Sequence, residues 1–439
     1  MSEGKKFTLS EVRAAKARNV IRTAVRPPHQ QPRPRRSFAK PVAAVLTFLA
    51  AGMLTYWTVS RLGYQSAVKR VKLASWEQPA LAGAPALASD REMEALLSAF
   101  HLPAETHWPE LEATANLRVT GNARARELTA ENREFLERFR GVFSGDTASM
   151  ADLLRSGKTL LDLPHDGKKL HRMLLGCVAM GHYLLDSGES DAGEATLLGV
   201  LRAGQLVERG TGGLYHVQAY STGQMAVSLA RRQLLRHGYA GRIPPLQVAK
   251  LASRLQAAAA LEADYRRLLM AERDWVESVL DRIRDEMGFW WPLMLSAGHA
   301  EPAPAVRAMF DDCLDVLENR PREAGERLTG AFEGLPPLAR EAAASLVHAP
   351  AYYPRELANR SLAAGSVAAA LAILELSRKK EVPERLEDLT TPLPKDPVSG
   401  RDFCYQRLGD GFRLYAIGPD GKDDGGDEKA DVLILGPGK

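Results

Sequence analysis

The densest chemistry in this chain lies near its end, in LYAIGPDGKDDGGDEKADV, Leu414 to Val432. Six carboxylates, Asp420, Asp423, Asp424, Asp427, Glu428 and Asp431, fall within twelve residues and are broken by glycines. Hard oxygen donors, flexible glycines that turn carbonyls inward and excess negative charge are what a calcium site needs. Holding several carboxylates together without a cation costs on the order of 1 kcal/mol per close pair even at high dielectric. Counted from Asp420, Asp424 takes position 5, Gly425 position 6 and Asp431 position 12 of an EF-hand-like loop, but Lys422 at position 3 breaks the pattern. The segment before the loop also reads as strand, not helix. Either a cation holds this loop or it is a solvated acidic segment. The apolar run DVLIL that pins its far end favours the cation, with Asp420, Asp424, Asp427 and Asp431 as expected ligands to structural calcium.

The other residue types that do chemistry are not arranged for it. His101 and His107 are separated by Pro103, and His171 and His182 stand about three helical turns apart, too far for one ion. These histidines are expected to be satisfied or at the surface. There is no HExxH, GxSxG, Walker loop or GxGxxG before a helix, so no catalytic residue and no enzymatic activity are expected. Cys177, Cys313 and Cys404 lie far apart without CxxC spacing, which excludes a cysteine zinc site. One long-range disulfide or three unpaired thiols remain open.

The elements that position the acidic loop follow from pattern. Pro383, Pro392, Pro394 and Pro397 end helical structure, and DFCYQRL, FRLYAIG and DVLIL then read as three short strands. Gly409-Asp410-Gly411 marks a hairpin between the first two. Upstream, residues 90–376 carry helical period almost throughout. In 261–287, Leu261, Tyr265, Leu268, Leu269, Trp275, Val279, Ile283 and Met287 recur mostly three or four apart, the mark of one long amphipathic helix. A helix is expected to close on Gly188, the next to open with Asp191 and Glu194 at capping-box spacing and close on Gly210, and a third to close on Gly238. Short Gly-marked turns predict antiparallel helical hairpins, and no fixed 34-residue period supports a regular tetratricopeptide array.

Between Lys40 and Arg61 run twenty residues without a charge, PVAAVLTFLAAGMLTYWTVS. At about 1.5 Å per residue such a helix spans the roughly 30 Å hydrocarbon core, and Tyr56 and Trp57 suit its interface. Residues 1–40 hold eleven Lys and Arg against two Glu, so they carry +9 of the chain's +4 and leave −5 to the rest. This asymmetry predicts a cytoplasmic arm at the inner membrane and an extracytoplasmic, periplasmic remainder. It also argues against a nucleic-acid partner, because the basic charge belongs to the arm. The fold class expected is mostly α: a basic arm (1–40), a transmembrane helix (41–60), a stalk and linker (61–89), a helical-hairpin domain (90–356) and a small α+β head with a three-stranded antiparallel sheet (357–439).

From Leu357 onward the chain resembles the C-terminal head of the major pseudopilins of type II secretion systems. The resemblance rests on a helix, VPERLEDL, PLPKDPVSG, YQRL and the acidic stretch, in which Gly418, Asp420, Gly421, Gly425, Ala430 and Asp431 match the family pattern. It covers about a fifth of the chain. In that family the acidic loop binds structural calcium, which implies Asp420 and Asp431 as ligands here, while Lys429 stands where the family has an aspartate. FTLSEV at Phe7–Val12 is preceded by Lys6 and followed by charged residues, unlike a pseudopilin start, so polymerisation into a pseudopilus is not expected. The resemblance implies a single-pass, non-enzymatic scaffold or accessory of envelope assembly or type II secretion-like machinery, partnered by the bilayer and an envelope protein. The alternative is an exported helical ligand- or peptide-binding domain that the head merely caps.

Overall fold

The structure is a computed structural model that describes residues 58, 61–67, 95–116, 123–143, 167–208, 215–259, 265–288, 291–292, 295, 301–319, 330, 333–346, 353–379, 382–389, 391–409, 411–418, 421–427 and 430–436. All of the predicted membrane span but Thr58 lies outside these residues, as do Asp420, Glu428 and Lys429. The described chain is mostly helical, with one small antiparallel sheet.

Helices α1 (Trp108–Ala115), α2 (Ala123–Glu131), α3 (Arg133–Phe143), α4 (Gly167–Asp186), α5 (Ser190–Glu208), α6 (Tyr215–Tyr239) and α7 (Pro245–Ala259) build the first part of the body. They are followed by α8 (Tyr265–Met287), α9 (Pro302–Asn319), α10 (Pro337–Leu346) and α11 (Tyr353–Lys379). The central layer is α4, α5 and α6, each packed on the next. Its apolar positions follow the helical period: Leu170, Met173, Leu174, Cys177 and Val178 of α4 are all buried. Helices α4 and α5 approach so closely at Gly193 that a Cβ there would lie 2.9 Å from the backbone nitrogen of Leu185.

Two helix ends have a common form. After α4, Gly188 takes φ +89°, Glu189 N–H donates to Leu184 O at 2.8 Å and Gly188 N–H to Leu185 O at 3.4 Å. After α6, Gly241 takes φ +71°, Arg242 N–H donates to His237 O at 2.9 Å and Gly241 N–H to Gly238 O at 3.1 Å. Both are Schellman closures, which need a left-handed residue and so favour glycine. The expected stop at Gly188 therefore stands, whereas the stop expected at Gly238 falls at Gly241. Gly238 stays helical and packs beside Ile373 of α11. The capping box expected of Asp191 and Glu194 also gives way to tertiary contacts. Glu194 is buried and accepts from Arg254 at 2.7 Å, while Asp191 accepts from Gln247.

The hydrophobic interior falls into two clusters. The first joins α1 to α7 with α11 and the sheet, so no break in packing separates most of α11 and the sheet from the central helices. The second gathers α8, α9 and α10 around Phe310 and Tyr265, and takes in Tyr64 and Ala67 from the short helix 61–67. Tyr64 is fully buried beside Trp291, with ring centroids 6.4 Å apart. Across this cluster Arg307 of α9 holds Glu277 of α8 in a two-point pair at 2.6 and 2.7 Å.

Helix α11 is long and apolar enough, over Arg355–Arg378, to cross a membrane by length and composition. Most of it is nevertheless buried against α7, α6 and the sheet, and its alanines at 368, 369, 370 and 372 have no exposed surface. That is the packing of a core helix.

Strands β1 (Cys404–Leu408), β2 (Gly411–Ala416) and β3 (Val432–Leu435) form an antiparallel sheet in the order β1-β2-β3. The three strands and the hairpin read from sequence are all present. Leu408 pairs with Gly411, and Gly409 at φ +60° turns the chain between them. The sheet lies on α11 so tightly that a Cβ at Gly365 would meet Ile434 at 2.0 Å. Phe412 is gripped by Tyr239 edge-on at 5.4 Å and by Tyr405 stacked at 5.5 Å, and its N–H donates to the Tyr239 hydroxyl at 3.3 Å. Below the sheet, buried Asp396 of the PKDP turn accepts from the Ser361 hydroxyl of α11 at 2.6 Å and from Ser399 N–H at 2.9 Å.

Where β2 leaves the sheet, Gly418 runs against Ala430, two residues before β3 begins. A Cβ at Gly418 would lie 1.7 Å from Ala430 O and 2.8 Å from its carbonyl carbon. Because the obstacle is backbone, Gly418→Ala is expected to cost about 1–3 kcal/mol, in the range of overpacked sites. Unfolding of the full-length variant in detergent checks this; an unchanged midpoint would mean that the crossing can spread at no cost.

Candidate functional site

The acidic loop is organised by one of its own carboxylates. Asp431 is buried; its Oδ1 accepts from Gly418 N–H at 3.2 Å, and its Oδ2 from Asp424 N–H at 3.0 Å and Gly426 N–H at 2.8 Å. Asp423 repeats this on the outer edge, with Oδ1 accepting from the Tyr415 hydroxyl at 2.9 Å and from Gly425 N–H at 3.0 Å. The Gly425 amide, and then Tyr415, hold the Asp423 carboxyl below the usual aspartate range. Burial, and then Asp423, push the Tyr415 hydroxyl up. Gly421, Gly425 and Gly426 all have positive φ, from 71° to 78°, which lets the backbone wrap round a single carboxylate. Asp424 and Asp427 are exposed. Of the four ligands expected from sequence, Asp431 thus faces backbone amides, Asp424 and Asp427 face outward and Asp420 lies outside the described residues.

Among the described residues, one set of three His, Cys, Asp or Glu side chains brings its ligand atoms within 4.8 Å of one another: His182, Asp186 and His237. None of the three was singled out from sequence for this role. His182 and Asp186 stand four apart on α4 and so share a face, while His237 comes from the last turn of α6. The two Schellman closures bring these helix ends together, and the Ser190 hydroxyl ties them by donating to Arg242 O at 2.9 Å. His182 Nε2 lies 3.3 Å from Asp186 Oδ2, and His237 Nδ1 lies 3.9 Å from Asp186 Oδ1. The guanidinium of Arg242 reaches back from the turn to Asp186 and sits 3.3 Å from His237 Nδ1.

Gln233 sets the hydrogens. Its Nε2 donates to the end of α1, at Thr114 O (3.2 Å) and Ala115 O (3.0 Å), which turns its Oε1 toward His182 Nδ1 at 2.8 Å. An amide oxygen only accepts, so this network assigns the His182 hydrogen to Nδ1. The same hydrogen faces His237 Nε2 at 2.9 Å. His182 Nε2 is then left with its lone pair, buried and without a hydrogen-bond donor. The expectation of satisfied or surface histidines therefore fails at His182.

Both rings are neutral. Burial depresses His182, helped by Arg236 and Arg242 and opposed by the Gln233 bond. Burial takes His237, 1 % exposed, down to about 3, with His182 and Arg236 adding to the effect. Two neutral imidazoles and a carboxylate are an N/O donor set; in this network His182 turns its Nε2 lone pair toward Asp186, while His237 accepts at Nε2 and carries its hydrogen on Nδ1. They also lie at the carbonyl ends of two helices, where the helix dipoles favour positive charge.

The remaining histidines gather no such set among the described residues: His171 is half-buried on the same helix, and His101 and His107 border an open depression with Arg124 and Glu127. All three cysteines are free thiols, which settles the open disulfide question, and burial raises Cys313 to about 12 and Cys177 further. A second buried polar cluster centres on Glu356, which accepts from Tyr220, from Gln224 at 2.9 Å and from Arg360 at 2.7 Å, while Gln224 Oε1 is buried without a donor. No family model, curated protein or solved structure matches this chain.

Proposed function

We propose that this chain is a non-enzymatic, single-pass membrane-anchored scaffold or accessory of envelope assembly or type II secretion-like machinery. Its N-terminal arm is cytoplasmic, its folded body is extracytoplasmic and its C-terminal head is stabilised by calcium. The observation that carries the reading is the loop ordered around Asp431. Three amides close on that carboxylate, so the loop backbone is arranged before any ion arrives, and the carboxylates of Asp424 and Asp427, hard oxygen donors in type, stand at its exposed edge. The uncharged run at 41–60 and the basic arm support the topology. The resemblance to pseudopilin heads supports the class of machinery.

A shared core supports the scaffold part of the reading. Because the sheet and α11 pack into the same interior as α4 to α7, the body offers its acidic loop at a defined position on a stiff frame. The same shared core also favours the alternative in which the head caps a helical binding domain. A small molecule or peptide recovered from the helical core would select that alternative.

Thermal unfolding of the full-length protein in detergent, with calcium and with chelator, tests the head. Calcium at about a hundred times its dissociation constant should raise stability by about 2.7 kcal/mol, and Asp424→Ala/Asp427→Ala should reduce that gain. A midpoint indifferent to calcium removes the ion from the reading. A turnover activity abolished by one polar substitution in the helical region would remove the non-enzymatic scaffold.

A further inference from the structure

We propose that His182, Asp186 and His237 form a binding site for a divalent transition-metal ion of the Zn²⁺ class, with Arg242 as a resident cation that the metal displaces. This site is separate from the acidic loop and differs from it in chemistry. Calcium and magnesium select oxygen donors, whereas two imidazoles with one carboxylate suit zinc and its neighbours.

Three observations converge on a metal, and one gives the rearrangement it requires. The 3.3 Å between His182 Nε2 and Asp186 Oδ2 matches the edge of a tetrahedron with bonds of about 2.0–2.1 Å, an edge of about 3.4 Å. All three ligand atoms lie within 4.8 Å of one another, so closure to that edge asks for at most roughly 1.4 Å, and His237 must turn from His182 and shift its hydrogen from Nδ1 to Nε2 to offer the ion a lone pair. Gln233 does for His182 what outer-sphere partners do for metal-binding histidines: it holds the Nδ1 hydrogen and so aims the Nε2 lone pair inward. Without an electrophile that lone pair faces a carboxylate oxygen, an arrangement that costs energy in a buried setting.

The charge of the site points the same way. The carbonyl ends of α4 and α6 and the Asp186 carboxylate together call for a cation, and the guanidinium of Arg242 supplies one in the present arrangement. Its side chain is 46 % exposed and hangs from the turn after α6, whereas Asp186 is 19 % exposed and both rings are buried. Arg242 therefore lies on the solvent side and can swing outward without disturbing the core, which opens an entry path and a fourth position for water. A bound ion would clamp α4 to α6 two residues from Tyr239, whose hydroxyl accepts from Phe412 of the sheet.

The test is titration of the full-length protein in detergent micelles with Co²⁺, followed by displacement with Zn²⁺. The expected result is the visible d–d absorption of a tetrahedral cobalt site, bleached stoichiometrically by Zn²⁺. Asp186→Asn should weaken binding at least about tenfold, and Gln233→Leu, which releases the His182 hydrogen, about 10- to 100-fold. Arg242→Gln keeps every ligand and sits at the surface, so it should fold as the parent does and bind more tightly. Absence of the cobalt bands from both parent and Arg242→Gln, with circular dichroism unchanged, overturns the proposal. So do bands that survive Asp186→Asn and His237→Gln undiminished, because the metal then sits elsewhere. Should those two variants fail to fold, equal affinity of parent and Arg242→Gln overturns it on its own.

Discussion

Replacing Asp431 with alanine is expected to destabilise the protein by about 3 kcal/mol and to free the acidic loop, the largest effect of any single substitution in the head. The carboxylate accepts three backbone N–H groups, and those of Gly418 and Gly426 are buried. A hydrogen bond to a charged group contributes about 1.5–3 kcal/mol, and a buried donor left without an acceptor loses its solvation as well. The three losses do not add in full, because the loop can open and let water reach the Asp424 amide. Asp431→Asn, which keeps one acceptor oxygen, should lose roughly half as much. Amide exchange reads the effect directly: protection at Gly418 and Gly426 should collapse in the alanine variant while the amides of α4 to α6 keep theirs. This loss is expected with chelator present, since the bonds are internal to the chain, and retained protection would mean that Asp431 does not organise the loop.

Stability should also fall steeply on the acid side of neutrality because of the buried imidazoles. His237 is lowered from about 6.5 in the unfolded chain to about 3 in the folded one, and His182 is lowered too. Between those values the unfolded chain binds a proton that the folded chain does not. Stability therefore decreases as pH falls through this window and is unaffected above about 6.5. Each such histidine contributes a slope of about 1.4 kcal/mol per pH unit once the unfolded form is protonated, so His237 alone removes about 2–3 kcal/mol by pH 4.5. The groups that face it, Asp186 and the cations Arg236 and Arg242, are part of the balance. Glu194 acts in the opposite sense: burial raises its carboxyl, so protonating it favours the folded state as pH falls. Lowered carboxylates such as Asp423 and Glu277 lose their contribution only at still lower pH. Unfolding midpoints at intervals from pH 7.5 to 4.5 should show this slope in the parent and a shallower one in His237→Gln. A flat parent profile would contradict a buried neutral pair.

These two expectations rest on features of different legibility. The long helix α8 could be read from Tyr265, Leu269, Val279, Ile283 and Met287, because burial of one helical face imposes a period that survives in sequence. The strands and the Gly409 turn were equally plain, as was the close of α4 at Gly188, where a left-handed residue is required locally. Gly238 misled for the converse reason. A glycine permits a helix to end without compelling it to, and α6 runs past Gly238, which lies beside Ile373 of α11, to close at Gly241. Glu194 was drawn away from its own helix end by Arg254, sixty residues on, a partner that no local spacing announces.

The acidic stretch and the histidine site divide in the same way. Sequence alone determined that negative charge and glycine are concentrated after β2, that most of the chain is helical and that a small sheet follows it, because each is a matter of local composition and period. Only the tertiary structure decided that Asp431 turns inward to three amides while Asp424 and Asp427 turn out. It alone decided that His182 and Asp186 of α4 meet His237 of α6, fifty-five residues beyond His182. The i, i+4 spacing of His182 and Asp186 was visible all along, but half of a ligand set is common on any helix surface. What completes it is the alignment of two helix ends by the α4–α5–α6 packing and by the turns at Gly188 and Gly241, and that alignment depends on contacts between residues far apart in the chain.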